Sequence, residues 1–163
     1  MTVAQGLHWL TPFDRFFHEV DRVLKPGGVF AAVSYCVPRL THERAQAAFS
    51  RYYDDVLGSK KLPGELGCHW VTNRPSVDSK YSDVKFPYAT VERQEFPDTI
   101  HMSLLAFQNL LSTMSAYRSL VAGGSPDPLP TLMQELQSSV GSKDLDGIIE
   151  VVVPYFIVSC SKN

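Results

Sequence analysis

One histidine in this sequence has the setting of a functional residue. A short candidate strand ends at Ala4, and Gln5 follows it directly. His8 and Trp9 lie a few positions further along the chain. This order of residues predicts the carboxyl end of a β-strand followed by a loop, which is where open α/β sheets bind their ligands. An unperturbed histidine has a pKa of about 6.5, so His8 is suited to act as a base or as a hydrogen-bond donor. The alternative is a structural histidine whose hydrogen bonds orient the loop.

Several other kinds of site are not expected. The sequence contains no Cys-x-x-Cys and no His-x-x-x-His pattern, so it predicts no metal site. It has no Gly-x-Ser-x-Gly elbow, which argues against an α/β-hydrolase. The three cysteines, Cys36, Cys68 and Cys160, are widely spaced and odd in number. They indicate a reducing compartment and no disulfide framework.

Composition and charge narrow the class of partner. The chain has 163 residues, a hydrophobic fraction of 44% and a formal charge of −2, which is ordinary for a globular domain and argues against a nucleic-acid surface. No apolar run approaches the roughly 20 residues that span a bilayer, and no signal-peptide pattern opens the sequence. We therefore expect a cytoplasmic protein with no nucleic-acid partner and no membrane partner.

A helix and a strand follow the loop that carries His8. Thr11 and Pro12 predict the start of the helix, as its N-cap and its first helical position. Apolar residues then recur at helical spacing; they are Phe13, Phe16, Phe17, Val20 and Leu24. Pro26-Gly27-Gly28 predicts a turn, and the apolar run at residues 29–33 predicts a strand that is covered on both faces. Strand, helix and strand together indicate half of a βαβ crossover, and hence an α/β fold.

Three more helices are predicted further along the chain. Thr41 and Ser103 are N-cap residues that precede apolar residues at helical spacing. Asp127 with Pro128 begins the third of these helices, and Gly141 ends it.

A long irregular segment and two strands complete the chain. The irregular segment, residues 58–85, contains Trp70, which either packs within the loop or forms a wall of a substrate pocket. Residues 86–96 predict one strand. The apolar, β-branched run at residues 148–160 predicts the last strand, with Pro154 dividing it into two arms.

The most specific run of sequence spans the first predicted helix and turn. Ala-Gln-Gly-Leu-His-Trp, followed by Phe-Asp-Arg-Phe-Phe-His-Glu-Val-Asp-Arg-Val-Leu-Lys-Pro-Gly-Gly-Val-Phe, closely resembles the class I S-adenosylmethionine-dependent methyltransferases. The His-Trp pair is similar to the type 11 subgroup, which contains trans-aconitate and related small-molecule methyltransferases. The resemblance is strong over residues 2–37 and continues more weakly to the C-terminus. It implies a mixed, Rossmann-like sheet whose last strand is antiparallel, with helices on its faces.

The resemblance also implies roles for individual residues. It implies S-adenosyl-L-methionine as cofactor, lying along Val3, Ala4 and Gln5 and contacting mostly their backbone groups. His8 is the candidate catalytic residue. Four aromatic residues are candidate contacts of the methyl acceptor: Trp9, Tyr35, Trp70 and Tyr117. The alternative is packing against the following helix for Trp9, packing within the loop for Trp70, and packing in the core for Tyr35 and Tyr117.

Two parts of the family pattern are not found in this sequence, namely the glycine-rich cofactor loop and the acidic residue that holds the ribose. We therefore expect a single, partial methyltransferase domain over residues 1–163, corresponding to the C-terminal half. Three strand–helix units of roughly 30 residues each would be missing. The expected parts are a strand–helix–strand core at 1–37, a helix and substrate-side loop at 38–85, and C-terminal strands and helices at 86–163.

Two functions are open. The first is methyl transfer to a small-molecule acceptor, with this chain as the substrate-side half of the enzyme. A carboxylic acid is one candidate acceptor, because an ionised carboxylate needs no base and the protein supplies only binding and orientation. The second is a non-catalytic, truncated isoform or interaction module that lacks cofactor binding. Such a module would pair an exposed sheet edge with another chain, including a second copy of itself.

Overall fold

The computed structural model describes residues 1–163 and contains an open sheet of five strands. β1 lies beside β2, β2 lies beside β5, and β5 also pairs with β3 and β4. β1 and β2 are parallel, whereas β5 runs antiparallel to β2 and β3. The mixed α/β sheet with an antiparallel last strand, which the family resemblance implies, is confirmed. The strands are β1 (Thr2–Ala4), β2 (Val29–Tyr35), β3 (Arg39–Leu40), β4 (Val91–Ser103) and β5 (Ile148–Ser161).

Helices connect these strands, and none of them is both long enough and apolar enough to cross a membrane. A 3₁₀ turn at Leu7–Trp9 follows β1, and a π-helical turn at Tyr52–Val56 follows the second α-helix. The α-helices are α1 (Phe13–Val23), α2 (Glu43–Arg51), α3 (Arg74–Asp78), α4 (Leu104–Ser112), α5 (Ser115–Ala122) and α6 (Leu129–Val140).

The chain divides into two compact units. Unit 1 comprises Met1–Val37, Ser76–Asp98 and Val153–Asn163, and it contains β1, α1 and β2. Unit 2 comprises Pro38–Pro75 and Thr99–Val152, and it contains β3, α2, α4, α5 and α6. The single domain over residues 1–163 stays a prediction.

The core of unit 1 forms between α1 and β2. Phe17 and Val20 on the apolar face of α1 are buried, and the Phe17 ring meets the Phe30 ring of β2 edge-on, with centroids 5.7 Å apart. β2 alternates, so that Phe30, Ala32 and Ser34 are buried while the residues between them are partly or fully exposed. The expectation of a strand covered on both faces is therefore wrong for this chain, since Val29 on the other face is 48% exposed.

The predicted turn before β2 is confirmed and is tied to the C-terminus. Gly27 has a φ of 73°, a conformation that favours glycine, and a Cβ on Gly28 would lie 2.8 Å from the Lys25 carbonyl oxygen. Backbone hydrogen bonds of 2.9 Å join Lys162 to both glycines. The Lys162 Nζ also lies 3.2 Å from the Asp21 carboxylate, which accepts a 3.0 Å hydrogen bond from the Tyr88 hydroxyl.

The core of unit 2 is helical. α2 and α6 pack together, and the Phe49 ring of α2 lies 5.4 Å from the Phe107 ring of α4. The buried face of α6 repeats at helical spacing, with Leu129, Leu132, Met133 and Leu136. Gly141 ends α6 with a φ of 69°, as predicted.

One of the predicted helix starts is confirmed and three are shifted by one residue. Ser103 caps α4 by accepting a hydrogen bond from Ala106 N. α6 begins at Leu129 with Pro128 as its N-cap, and the Asp127 carboxylate accepts a hydrogen bond from Leu129 N. α1, however, has Pro12 as its N-cap instead of Thr11. α2 has His42 as its N-cap instead of Thr41, because the imidazole Nδ1 of His42 accepts the hydrogen bond from Ala45 N that a threonine hydroxyl would take.

Two predicted strands have different bounds. β4 begins at Val91 and continues to Ser103, whereas residues 86–96 were expected. β5 is continuous through Pro154, contrary to the prediction of two arms. The physical reason is that the ladder with β2 ends at Tyr155 and the ladder with β3 begins at Val152, so the missing N–H of Pro154 falls between them. The Pro154 carbonyl still accepts a hydrogen bond from Cys36 N at 3.0 Å.

A matched pair of leucines tests the core of unit 2. Leu136 is fully buried, whereas Leu66 is 96% exposed. We expect Leu136→Ala to lower the free energy of unfolding by about 2–5 kcal/mol, because it leaves a cavity. Leu66→Ala should change it by less than about 0.5 kcal/mol. Urea unfolding followed by circular dichroism measures both, and equal effects of the two substitutions would contradict this packing.

The contacts of Asp21 predict an acid-dependent contribution to stability. Hydrogen bonds from Lys162 and Tyr88 hold the pKa of Asp21 below its usual value. A carboxyl group with a lowered pKa in the folded state stabilises the fold above its unfolded pKa, and this contribution is lost as the pH falls through the folded pKa. We expect Asp21→Asn to flatten the fall in stability below about pH 4. Urea midpoints across that range provide the measurement, with Asp98→Asn as an exposed control; a variant that follows the wild-type curve would disprove the coupling.

Candidate functional site

The candidate site lies in unit 1, at the carboxyl ends of β1 and β2. The two strands are parallel, with Ala4 in register with Val33, so both strands end at the same edge of the sheet. A 2.8 Å hydrogen bond from Gln5 N to the Val33 carbonyl extends the pairing past the end of β1. Ligands of open α/β sheets bind outside this edge.

Gln5 closes this edge with its side chain. Its backbone has a φ of 47°, which is uncommon for a residue other than glycine and turns the chain out of the sheet. Its amide Oε1 accepts a 2.9 Å hydrogen bond from Tyr35 N, and its Nε2 lies 3.5 Å from the Tyr35 carbonyl oxygen. The glutamine amide, which carries both a donor and an acceptor, therefore replaces the backbone groups that a further strand residue would have offered.

His8 lies in the 3₁₀ turn after β1 and is buried, with 8% exposure. Its Nδ1 lies 3.2 Å from the Tyr81 hydroxyl oxygen, and the same oxygen lies 3.0 Å from the Ser34 Oγ. The His8 and Tyr81 rings are close to parallel, with centroids 6.5 Å apart. The candidate catalytic histidine thus belongs to a buried group of three hydrogen-bonding side chains.

Tyr81 reaches this position because of its backbone. Lys80 and Tyr81 have φ values of 58° and 57°, two consecutive left-handed residues without a glycine. Tyr81 N donates a 2.8 Å hydrogen bond to the Ser76 carbonyl, and Arg93 Nη2 donates one of 3.3 Å to the Tyr81 carbonyl. The Tyr81 ring is fully buried and meets the Phe156 ring at an angle of 64°. The surroundings therefore fix the ring with its hydroxyl beside Ser34 and His8.

The outer part of the site is more open. Trp9 is 53% exposed, lies 5.8 Å from the His8 ring, and lines an open groove of about 350 Å³ together with Pro12 and Arg15. Tyr35 is also partly exposed and packs edge-on against Tyr155. Six of the residues predicted from the sequence therefore lie along this one edge: Val3, Ala4, Gln5, His8, Trp9 and Tyr35.

The other two predicted site residues lie in unit 2. Trp70 is buried, and the centroid of its ring lies 5.5 Å from that of the Tyr53 ring. The guanidinium carbon of Arg74 lies over the Trp70 ring, 5.4 Å from its centroid. The indole Nε1 of Trp70 has no hydrogen-bond partner. Burial and a hydrogen bond with the Asp127 carboxylate raise the pKa of Tyr117, which lies on α5. Roles for Trp70 and Tyr117 in acceptor binding stay predictions.

Two members of the hydrogen-bonded chain were not among the residues predicted from the sequence. Ser34 is a polar residue in an otherwise apolar strand, and this was the signal available for it. Tyr81 falls in the segment expected to be irregular, and no local pattern marks its contact with a residue 73 positions earlier.

The edge residues fit one wall of a nucleoside-cofactor site. Val3 and Gln5 are partly exposed there, and Ala4 is exposed. Trp9 and Tyr35 offer exposed aromatic rings beside them. A glycine that approaches a ligand closely is not required in this loop, since a Cβ on Gly6 would meet its nearest neighbour at an ordinary 3.4 Å.

Comparisons with known proteins match this chain to proteins described as putative methyltransferases. No protein-family model matches the chain. A curated Dictyostelium discoideum protein named "Putative methyltransferase" is 25% identical over 165 residues, which cover 100% of this chain and 59% of that protein. The solved structure of "a Putative Type II Methyltransferase from Anaeromyxobacter dehalogenans" matches with a TM-score of 0.74 and 28% identity, covering 98% of this chain and 63% of that one. The chain thus spans about three fifths of the length of each.

Removal of the Gln5 side chain tests how the edge of the sheet is closed. In Gln5→Ala the Tyr35 amide loses its acceptor, so its hydrogen exchange should become about tenfold faster. Gln46→Ala is the matched control. The Gln46 side chain accepts the same kind of hydrogen bond, from Leu40 N in unit 2, so its removal should leave the exchange of the Tyr35 amide unchanged. Amide exchange followed by NMR or mass spectrometry gives the rates. Equal protection of Tyr35 in wild type and Gln5→Ala would show that the side chain does not close this edge.

Proposed function

We propose that this chain, which has the fold and the sequence relationship of a class I S-adenosylmethionine-dependent methyltransferase, takes part in methyl transfer to a small-molecule acceptor. The observation that carries the proposal is the grouping of Gln5, His8, Trp9 and Tyr35 at the carboxyl edge of two parallel strands. This is the edge at which open α/β sheets bind ligands. The similarity to methyltransferases over the whole chain agrees with it.

The proposed cofactor is S-adenosyl-L-methionine, which when bound supplies an electrophilic methyl group on a sulfonium. The backbone of Val3, Ala4 and Gln5 would contact it. His8 would hydrogen-bond the acceptor, and the aromatic rings of Trp9 and Tyr35 would orient the acceptor and exclude water. Trp70 and Tyr117 of unit 2 are further proposed acceptor contacts.

We infer in addition that residues 1–163 act as the substrate-side, C-terminal half of a partial methyltransferase domain, in the cytoplasm. The length relationship to both relatives supports the partial domain. The acceptor class proposed is a small molecule, with carboxylic acids first among the candidates because they need no general base.

A second candidate function rests on the edge of the sheet beyond β1. β1 pairs with β2 alone, and the alternation of a strand directs the peptide groups of Thr2 and Ala4 away from β2. An open edge of this kind can pair with another strand. A non-catalytic, truncated product would then act as an interaction module that binds another chain, or a second copy, through this edge.

Calorimetric titration with S-adenosylhomocysteine distinguishes the two functions. The titration uses this chain and the longest natural form of the protein that contains it. Micromolar binding by either form supports the methyltransferase proposal, and binding by the longer form alone assigns one wall of the site to this chain. Absence of binding by both forms contradicts the proposal and favours the interaction module.

Substitution of His8 tests its proposed role in turnover. A screen of small acids, phenols and amines with methyl-labelled S-adenosylmethionine identifies an acceptor for the form that binds cofactor. We expect His8→Ala to lower kcat/KM by about 10²-fold, since it removes a preorganised hydrogen-bonding group from the site. His18→Ala, on the exposed surface of α1, is the control and should keep wild-type turnover. Unchanged turnover in His8→Ala would exclude a catalytic role for His8.

A further inference from the structure

One face of the sheet in unit 1 is exposed. α1 packs on the face of β2 that contains Phe30, and the alternate residues of β2 point to the opposite face. β5 alternates in the same way, so that Tyr155 and Ile157 are partly exposed while Phe156 is buried. We call this surface the open face. Its residues are Thr2, Ala4, Val29, Ala31, Val33, Tyr35, Phe96, Tyr155, Ile157, Ser159 and Ser161.

The side chains of the open face stand in rows across the strands. The strand ladders bring two rows into register: Ala4 with Val33 and Ile157, and Thr2 with Ala31 and Ser159. A third row is aromatic, with ring centroids 5.9 Å apart for Tyr35 and Tyr155 and 6.0 Å apart for Tyr155 and Phe96. None of the side chains in these rows is charged. The open face is therefore a continuous, uncharged surface that is rich in apolar groups.

The sequence of β2 is typical of a strand covered on both faces, although this structure covers only one. Residues 29–33 are all apolar, whereas a strand with one solvated face alternates apolar and polar residues. The parallel pairing of β1 with β2 agrees with this, since sheets of parallel strands are as a rule covered by helices on both faces. A contiguous apolar patch on a protein surface marks an interaction site. The chemistry of the open face thus requires a cover that residues 1–163 do not supply.

The dimensions of the open face match one α-helix. At about 3.3 Å per residue, β2 spans about 20 Å from Val29 to Tyr35, which is the length of a helix of about 13 residues. β1, β2 and β5 together are about 10 Å wide, close to the diameter of a helix with its side chains. A stable interface between two protein chains uses about 20–30 residues a side, and the open face has only about half as many. A single helix therefore fits this surface better than a second copy of the chain.

We propose that the open face is the docking surface for one amphipathic α-helix, which polypeptide outside residues 1–163 supplies. Both relatives have the length for such an element, because this chain covers 59% of the Dictyostelium protein and 63% of the Anaeromyxobacter protein. The apolar stripe of the helix packs along β2 and β5. Its larger side chains lie over the shallow row that contains Ala31, and its smaller ones lie over the aromatic row. Contacts between side chains hold it, unlike the backbone pairing of a strand added at the edge beyond β1.

Labelling of an introduced cysteine tests the docking. Ser159→Cys places a thiol in the middle of the open face, and Ser125→Cys, in the exposed segment before α6, is the matched control. Both are made together with Cys68→Ser, because Cys68 is the cysteine that is not buried. The probe is the part of the Anaeromyxobacter dehalogenans protein outside the matched 63%, prepared as a separate polypeptide.

We expect the probe to slow maleimide labelling of Ser159→Cys by about tenfold or more, because a bound helix covers the thiol. Labelling of Ser125→Cys should not change. An unchanged rate at Ser159→Cys with the probe in large excess would overturn the proposal.

A charge placed in the middle of the open face gives a second measurement. Val33→Lys should weaken binding of a fluorescent form of the probe by about tenfold or more, because the docked helix would bury the ammonium group. Val121→Lys on α5, where the valine is 38% exposed, is the control and should bind like the wild type. Val33→Lys should keep the fold of the chain, since this side chain is partly exposed until the helix docks. Equal binding by the two variants would contradict docking on the open face.

The oligomeric state of the chain distinguishes a helix from a second copy. We expect Val33→Lys to leave the sedimentation of residues 1–163 unchanged in analytical ultracentrifugation. A wild-type dimer that Val33→Lys dissociates would show that a second copy covers the open face, and it would overturn the helix proposal. None of these measurements involves cofactor or turnover, so a failure to bind S-adenosylhomocysteine would contradict the proposed function and leave this proposal standing.

Discussion

The burial of one face of β2 is the constraint on which unit 1 depends. Phe30, Ala32 and Ser34 alternate on that face, and the buried Cys36 follows in the same phase. At the amino end of the strand Phe30 packs against α1, and at the carboxyl end Ser34 binds Tyr81. A shift of one residue in the register would expose the aromatic core and the polar chain together. The packing that stabilises unit 1 is thus the same packing that places the site.

The buried face of β2 changes from apolar to polar side chains toward its carboxyl end, and this change requires small side chains there. Ala32 and Ser34 leave room above the sheet, and the fully buried ring of Tyr81 lies beside Ser34, against Phe156 of β5. Neutral hydroxyl, phenol and imidazole groups can be buried at modest cost once their hydrogen bonds are satisfied, whereas an ion needs a partner of opposite charge. The mutual hydrogen bonds of Ser34, Tyr81 and His8 therefore make these polar side chains compatible with an otherwise apolar interior.

Sequence patterns predicted the parts of the fold that local chemistry determines. The apolar face of α1, the turn at Gly27 and the start of β2 follow from periodicity and from backbone preferences within a few residues. The same reasoning misplaced β4 and divided β5, because the pairing of these strands depends on neighbours that are distant in sequence. Pro154 is tolerated only because two ladders of hydrogen bonds end beside it, and no local pattern carries that information.

The residues of the candidate site could likewise be predicted where local sequence places them, and could not be predicted where contacts distant in sequence place them. Gln5 and His8 could be predicted because they directly follow a strand, at the end where α/β sheets bind ligands. Tyr81 could not, since its contact with Ser34 joins residues 47 positions apart and depends on a left-handed backbone at two residues that are not glycine. Backbone conformations of this kind are costly and persist where the surrounding structure enforces them. Here the Ser76 and Arg93 hydrogen bonds and the Phe156 contact enforce one position of the phenol, and that position gives the His8 imidazole its orientation.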